Sequence, residues 1–255
     1  YKSFANDTRE VLRSAHENGI RKLIITGTSV CESNRMIALL NQYSTEFPEM
    51  LYGTVGIHPH SASEFSNDSI ADLRHLLAQP GVVAIGETGL DFHRNLAPKE
   101  MQVKCFEAHL SLASELELPL FMHEREASIL QIDILKNRRK DFSKGVIHCF
   151  TGDRQTLYQY LDMDLHIGIT GWICDQRRGM PLQDLVADIP LDRLMIETDS
   201  PYLLPRNLAF PPKDGRNEPS FLPWVVSGIA ACREESKEEI AEQTGKTAIK
   251  FFGLE

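Results

Sequence analysis

The sequence has little of what marks out the special classes of protein. Cysteine is scarce: five among 255 residues, at Cys31, Cys105, Cys149, Cys174 and Cys232, with no CxxC pair. That excludes a disulfide framework and points to a reducing, cytoplasmic setting. No stretch approaches the ~18 consecutive apolar residues of a membrane span, so no membrane partner is expected. The residues present include no basic–apolar–small segment of the secretory type. Positive charge is in deficit, with 27 Lys and Arg against 36 Asp and Glu and a net charge of −9. Gripping nucleic acid by bulk charge is thereby disfavoured, while handling it at a local site is not. Low-complexity segments are missing too, and GTS at 27–29 is not the GxGxxG of a dinucleotide-binding sheet.

What is present is ordinary in bulk and regular in order. Apolar residues make up 42% and charged residues 25%, as in globular proteins able to bury a full core. Continuous apolar runs at 22–28, 52–58, 82–86, 118–123, 145–150, 165–170 and 194–198 read as parallel strands covered on both faces. Helical stretches at 33–43, 68–78, 99–117, 126–139 and 154–163 separate them, and helices at 222–232 and 236–252 close the chain. An amphipathic helix precedes the first strand, with Asn6 or Asp7 as its cap and Gly19 as its stop. Seven strand–helix units in a row predict an α/β fold with a parallel sheet. They fall one short of a (β/α)8 TIM barrel. Residues 1–255 therefore read as one barrel domain, and the reading expects its first strand to precede Tyr1.

The chemistry sits at one kind of place. His58, Glu87, His123, His148 and Asp199 each fall at or just after the C-terminal end of an expected strand, about one strand–helix unit apart, the last two units on. In a barrel such positions converge on one mouth, where barrel enzymes react. A lone strand-end histidine is more often a packing residue, and a lone Asp or Glu there often caps a helix. Five at one end with this periodicity point instead to a metal site, because imidazole and carboxylate together suit divalent ions.

GIHPH at 56–60, AIGETGLDF at 84–92, MHEREA at 122–127, IHCFTG at 147–152, GITGWICDQRRG at 168–179, IETDSPYLLPR at 196–206 and RNEP at 216–219 closely resemble the TatD family of metal-dependent deoxyribonucleases. The match runs in order over nearly the whole chain, and the sixth-strand block is similar to the bacterial branch. The resemblance implies a TIM barrel of the metallohydrolase type that hydrolyses DNA phosphodiesters, as an exonuclease on single-stranded ends. It implies one or two divalent ions per chain, Mg²⁺ or Mn²⁺ in function with Zn²⁺ as the alternative. Glu87 matches the family's bridging ligand, His123 and His148 match ligands of one ion, and Asp199 matches a ligand of the other. His58, Glu87 and Asp199 are then the catalytic candidates. The family's first-strand motif, HxH or DIGxN, is not among these residues. DNA is the expected partner, RNA the alternative substrate, and a monomer the expected state.

Other readings stay open on residues alone. The same ligands serve a metal-dependent hydrolase of an amide or aminoacyl ester, and a non-catalytic interaction protein on a degraded barrel is a third reading. His58 and His60 read as an acid–base pair or phosphate holder, with His60 equally a helix cap or solvent-facing. Glu197 and Asp91 read as groups that orient ligands, Asp91 alternatively as a turn residue. In loops after strands, Arg125, Arg154, Arg177, Arg178, Arg206 and Arg216 are candidates for phosphates, and Trp172 and Tyr202 for base stacking. Loop packing competes for each. Cys149 reads as packing outward, opposite His148.

Overall fold

The computed structural model describes residues 2–254. In chain order the elements are α1 (Thr8–Glu17), β1 (Leu23–Thr26), α2 (Val30–Tyr43), β2 (Leu51–Val55), α3 (Asn67–Leu77), β3 (Val82–Asp91), α4 (Lys99–Leu116), β4 (Leu120–Arg125), α5 (Ser128–Asn137), β5 (Gly145–Ile147), α6 (Arg154–Asp162), β6 (His166–Ile169), α7 (Met180–Gln183), β7 (Leu194–Ile196), α8 (Leu222–Ala230) and α9 (Lys237–Phe252). Each strand expected from an apolar run is present. The chain divides into two compact units.

The larger unit takes its described residues from 22–148, 158–165 and 251 onward. Its strands pair in parallel in chain order, β1 to β5, with Leu23 opposite Leu51 and Leu120 opposite Gly145. Ile85, Leu90, Leu120, Met122 and Ile147 of the strands and Phe106, Leu110 and Leu112 of α4 are almost fully buried. Each such side chain contributes roughly 1.5–3 kcal/mol of hydrophobic stabilisation. The helices start on local signals. The Ser29 hydroxyl accepts from Glu32 N (3.1 Å) at α2, Ser66 and Ser69 form a capping box at α3, and Pro98 precedes α4.

β3 departs from expectation in a way that shapes the site. The apolar run predicts a strand ending at Gly86, yet pairing with β4 continues to Asp91, opposite Arg125. Polar Glu87, Thr88 and Asp91 interrupt the run but are buried. Between Ile85 and Thr88 the chain takes three steps while β4 takes two, from Leu120 to Met122. That bulge re-aims the intervening side chain, Glu87. It needs Gly86, whose φ is 146° and where a Cβ would lie 2.1 Å from Phe121 O.

The second unit takes its described residues from the start to Arg21, from 149–157 and from 166–250. Here β6 and β7 pair in parallel, Ile167 opposite Leu194 and Ile169 opposite Ile196. Asp7 stands at the N-cap of α1 but makes no cap bond. Its carboxylate instead accepts from Arg216, at 3.0 Å through Oδ1 and 2.5 Å through Oδ2. The sequence reading missed α7, a four-residue helix with proline in its first turn, too short to show a period.

Candidate metal centre

Glu87 is the hub of the larger unit's polar cluster. Its Oε1 lies 3.3 Å from His58 Nε2, 3.1 Å from His123 Nδ1 and 3.9 Å from His148 Nε2. One ligand atom each from His58, Glu87 and His123 fall within 4.8 Å of one another. The expected site residues of this unit are thus brought together, Glu87 and His123 from β3 and β4, His58 and His148 from just beyond β2 and β5. Burial alone would raise the Glu87 carboxyl. The charge of His58 and hydrogen bonds from His123 and His58 outweigh it, holding the carboxyl well below its ordinary range.

Asp91 organises a second layer. Its Oδ2 accepts from His60 Nε2 at 2.7 Å and from His123 Nε2 at 3.2 Å, and its Oδ1 accepts from Arg94 N at 2.8 Å. Asp91 is therefore an orienting strand residue and not a turn. His60 faces Asp91 and does not serve as a free cap. Burial raises the Asp91 carboxyl, but the bonds from His123, Arg94 and His60 win and push it down. Burial likewise lowers His123, yet bonds to Asp91 and Glu87 carry it up to about 9.

Tautomers follow from these bonds. His58 Nδ1 accepts from His60 N at 3.0 Å, so in neutral His58 the proton is on Nε2, the atom facing Glu87. His123 is the reverse. Its Nε2 donates to Asp91, which leaves the lone pair of neutral His123 on Nδ1, 3.1 Å from a carboxylate oxygen. Lone pair against carboxylate is repulsive unless a cation or a proton lies between them. The residues therefore fit a divalent ion, with imidazole and carboxylate donors and the ligand's far nitrogen fixed by a second carboxylate.

Three residues that sequence reasoning passed over hold this frame. His109, buried in α4, accepts from Ile57 N through Nε2 (3.0 Å), and its Nδ1 bonds Cys105 O (2.7 Å). Gln102 Oε1 accepts from Asp91 N (2.8 Å), and Gln131 Oε1 from Leu90 N (2.9 Å). The available signal was polar residues on a buried helix face, Gln102 and His109 among Cys105, Phe106 and Leu110.

Arg125 is exposed at the end of β4 in the larger unit, and the remaining candidates belong to the second unit. Asp199 follows β7 with φ 56°, and its carbonyl accepts from Tyr202 N (2.9 Å). Buried Asn217 donates to Thr198 O and Tyr202 O, both at 2.7 Å, and so clamps the chain on either side of Asp199. Glu197 packs against Gly168, where a Cβ would lie 2.0 Å from its Oε1, and Oε2 accepts from Cys149 N (3.1 Å). Cys149 lies beyond β5 with φ 48°, so strand alternation does not set its direction; its Sγ is 3.4 Å from Thr170 Oγ1. Arg154 bonds Asp188 and Asp184 O, and Arg216 bonds Asp7, Glu218 and Ser3 O. Both are ties within the unit.

A parallel α/β scaffold with imidazoles and carboxylates at strand C-terminal ends defines a class, the TIM-barrel-like hydrolases with a histidine–carboxylate centre. The sequence profile described as TatD related DNase matches residues 1–253. The chain is 48% identical to the "3'-5' ssDNA/RNA exonuclease TatD" of Erwinia amylovora, over 98% of this chain and 95% of that protein. Among solved structures, a TatD homologue from Escherichia coli superposes with a TM-score of 0.88 at 27% identity, covering 99% of this chain and 94% of that one. A TatD family hydrolase from Entamoeba histolytica gives 0.86 at 27% identity, covering 96% and 89%. The chain belongs to the TatD family of DNases, a family of metal-dependent nucleases with this α/β fold.

Proposed function

We propose that the protein is a divalent-metal-dependent 3'-to-5' exonuclease acting on single-stranded DNA and RNA. The observation that carries this is Glu87, a buried carboxylate with the imidazoles of His58, His123 and His148 turned toward it, His123 through Nδ1. Its relative from Erwinia amylovora bears that activity in its name.

In this reading Glu87, His123 and His148 hold metal, and Asp199 supplies a further ligand on the strength of its family motif. Mg²⁺ or Mn²⁺ is the functional ion, with Zn²⁺ as the alternative. Such an ion lowers the pKa of its water and stabilises charge on phosphoryl oxygens. The chain's own residues do the rest. Asp91 fixes His123 by Nε2 and leaves Nδ1 as the ligand atom. Glu87 stays ionised, held so by its imidazoles. His58 presents an Nε2 proton, suited to hold a phosphoryl oxygen or to protonate a leaving oxygen.

Five free cysteines and the want of a membrane-crossing helix among the described residues support action in the cytoplasm. The test is a 5'-labelled single strand incubated with Mn²⁺. Stepwise shortening from the 3' end that a chelator stops is expected. Activity on ester or amide substrates with no cleavage of any nucleic acid would assign the centre to another hydrolysis.

A further inference from the structure

The block GITGWICDQRRG builds a surface of its own in the second unit. Thr170 caps a 3-10 turn over Gly171–Cys174, and the following residues face the loop after β7. The two loops are pressed together at Gly171, where a Cβ would lie 2.2 Å from Leu203 O. Beside that contact opens a groove of about 830 Å³ whose lining includes Trp172, Asp175, Arg177, Arg178 and Arg206. That volume is within the range of sites that take small ligands.

The charges are arranged to leave a surplus. Asp175 is the one carboxylate of the lining, against three arginines. It is buried and committed: Oδ1 accepts from Arg177 N (2.9 Å) and Arg178 N (3.2 Å), and Oδ2 from Arg178 Nε (3.2 Å) and Arg206 Nε (3.0 Å). Among the described residues the Arg177 guanidinium has no hydrogen bond or ion pair, and Arg178 and Arg206 keep half or more of their side chains exposed. Two positive charges thus remain unbalanced on a protein whose net charge is −9. The aromatic face is pre-set as well. Trp172 Nε1 donates to Arg178 O (3.2 Å), and the Arg178 guanidinium lies 4.6 Å over the indole. Buried Asp175 thereby fixes a plate of indole and guanidinium with cations at its edge.

We propose that this groove binds the single strand as a sequence-independent subsite, a base stacking on the Trp172–Arg178 plate while Arg177 and Arg206 meet phosphates. Stacking platforms combined with backbone cations are the general solution for single strands, because every base has a π-face. A duplex hides its base faces and gains nothing from the plate. The inference deepens the nuclease reading and rests on it for the identity of the ligand.

The test is a fluorescence titration of the full chain with a ten-residue oligothymidylate in excess chelator, where no turnover competes. Trp172 and Trp224 are the chain's two tryptophans. Quenching on binding is expected in the wild type and lost in Trp172→Phe. Trp172→Ala weakens binding about five- to hundredfold, the range for one stacked base. Arg177→Ala lowers the slope of log affinity against log salt by about 0.7, one single-strand phosphate, and Arg177→Lys restores it. In turnover with metal, the same variants raise KM for a long strand and act on kcat far less. Unquenched Trp172 with unchanged affinity and slope in the variants, in a protein that still degrades the strand, overturns the subsite alone. Quenching without hydrolysis of any nucleic acid supports the subsite and removes the nuclease reading.

Discussion

Replacing His109 with leucine removes a strut and not a catalytic group. In the wild type His109 Nε2 accepts from Ile57 N at 3.0 Å, one residue before His58. Leucine is of similar size and apolar, so α4 keeps its packing while a buried N–H loses its partner. An unsatisfied buried donor costs about 1–3 kcal/mol, and about 2 kcal/mol lowers the Tm of a chain this size by roughly 4–8 °C. The pH dependence is the sharper signature. Burial holds the folded-state His109 down to about 4, against a backbone bond from its ring to Cys105 O that raises it. An unfolded histidine titrates near its model value of 6.5. The unfolded state therefore binds more protons between those values. The contribution is complete above pH 6.5 and is lost as pH falls toward 4, at about 1.4 kcal/mol per unit. His109→Leu lacks that loss, so its deficit shrinks with acid and the two melting curves meet near pH ~5. Thermal melts by circular dichroism from pH 4 to 8 follow this directly. A deficit that grows in acid, or a variant as stable as wild type at pH 8, would refute the strut.

Other positions give independent tests. Gly89→Ala places a Cβ 2.0 Å from His123 O at a φ of 135°, so a loss of more than about 3 kcal/mol in chemical denaturation is expected. Asp91→Asn removes the negative charge and leaves one acceptor oxygen where Oδ1 and Oδ2 now serve Arg94 N, His60 and His123; calorimetric Mn²⁺ affinity should fall about 10–100-fold, and undiminished affinity would count against Asp91 as an orienting group. Asn217→Ala releases two carbonyls beside Asp199, and a loss of about 1–3 kcal/mol with weakened activity is expected; full activity would show that this clamp does not position Asp199.

Much of the fold was legible because parallel strands buried on both faces are written as unbroken apolar runs. The same rule misplaced the end of β3. Glu87, Thr88 and Asp91 are polar, and nothing local says that they will be buried, with His123 of β4 meeting the carboxylates of Glu87 and Asp91. The grouping of His58, Glu87, His123 and His148 was legible because these residue types carry their chemistry alone. Its supports were not: His109 and Gln102 look like surface residues of a helix until its buried face is known. Strand alternation put Glu197 and Asp199 on one face, but β7 ends at Ile196 and Asp199 has a left-handed backbone. The RNEP block was legible as a motif, and its work appeared only in three dimensions, Arg216 tying Asp7 and Asn217 clamping the loop.

In the proposed mechanism Glu87 joins metal to phosphodiester hydrolysis. The direct measurement is the rate of 3'-end shortening of a labelled single strand by wild type and Glu87→Gln, each with Mn²⁺ and with chelator, on protein shown to be folded. Glu87→Gln keeps the shape and gives up the charge. Mn²⁺-dependent shortening by wild type is expected, with none in chelator and a rate at least about a hundredfold lower in Glu87→Gln at every metal concentration. Wild-type rates in the variant, or shortening that persists in chelator, would contradict it.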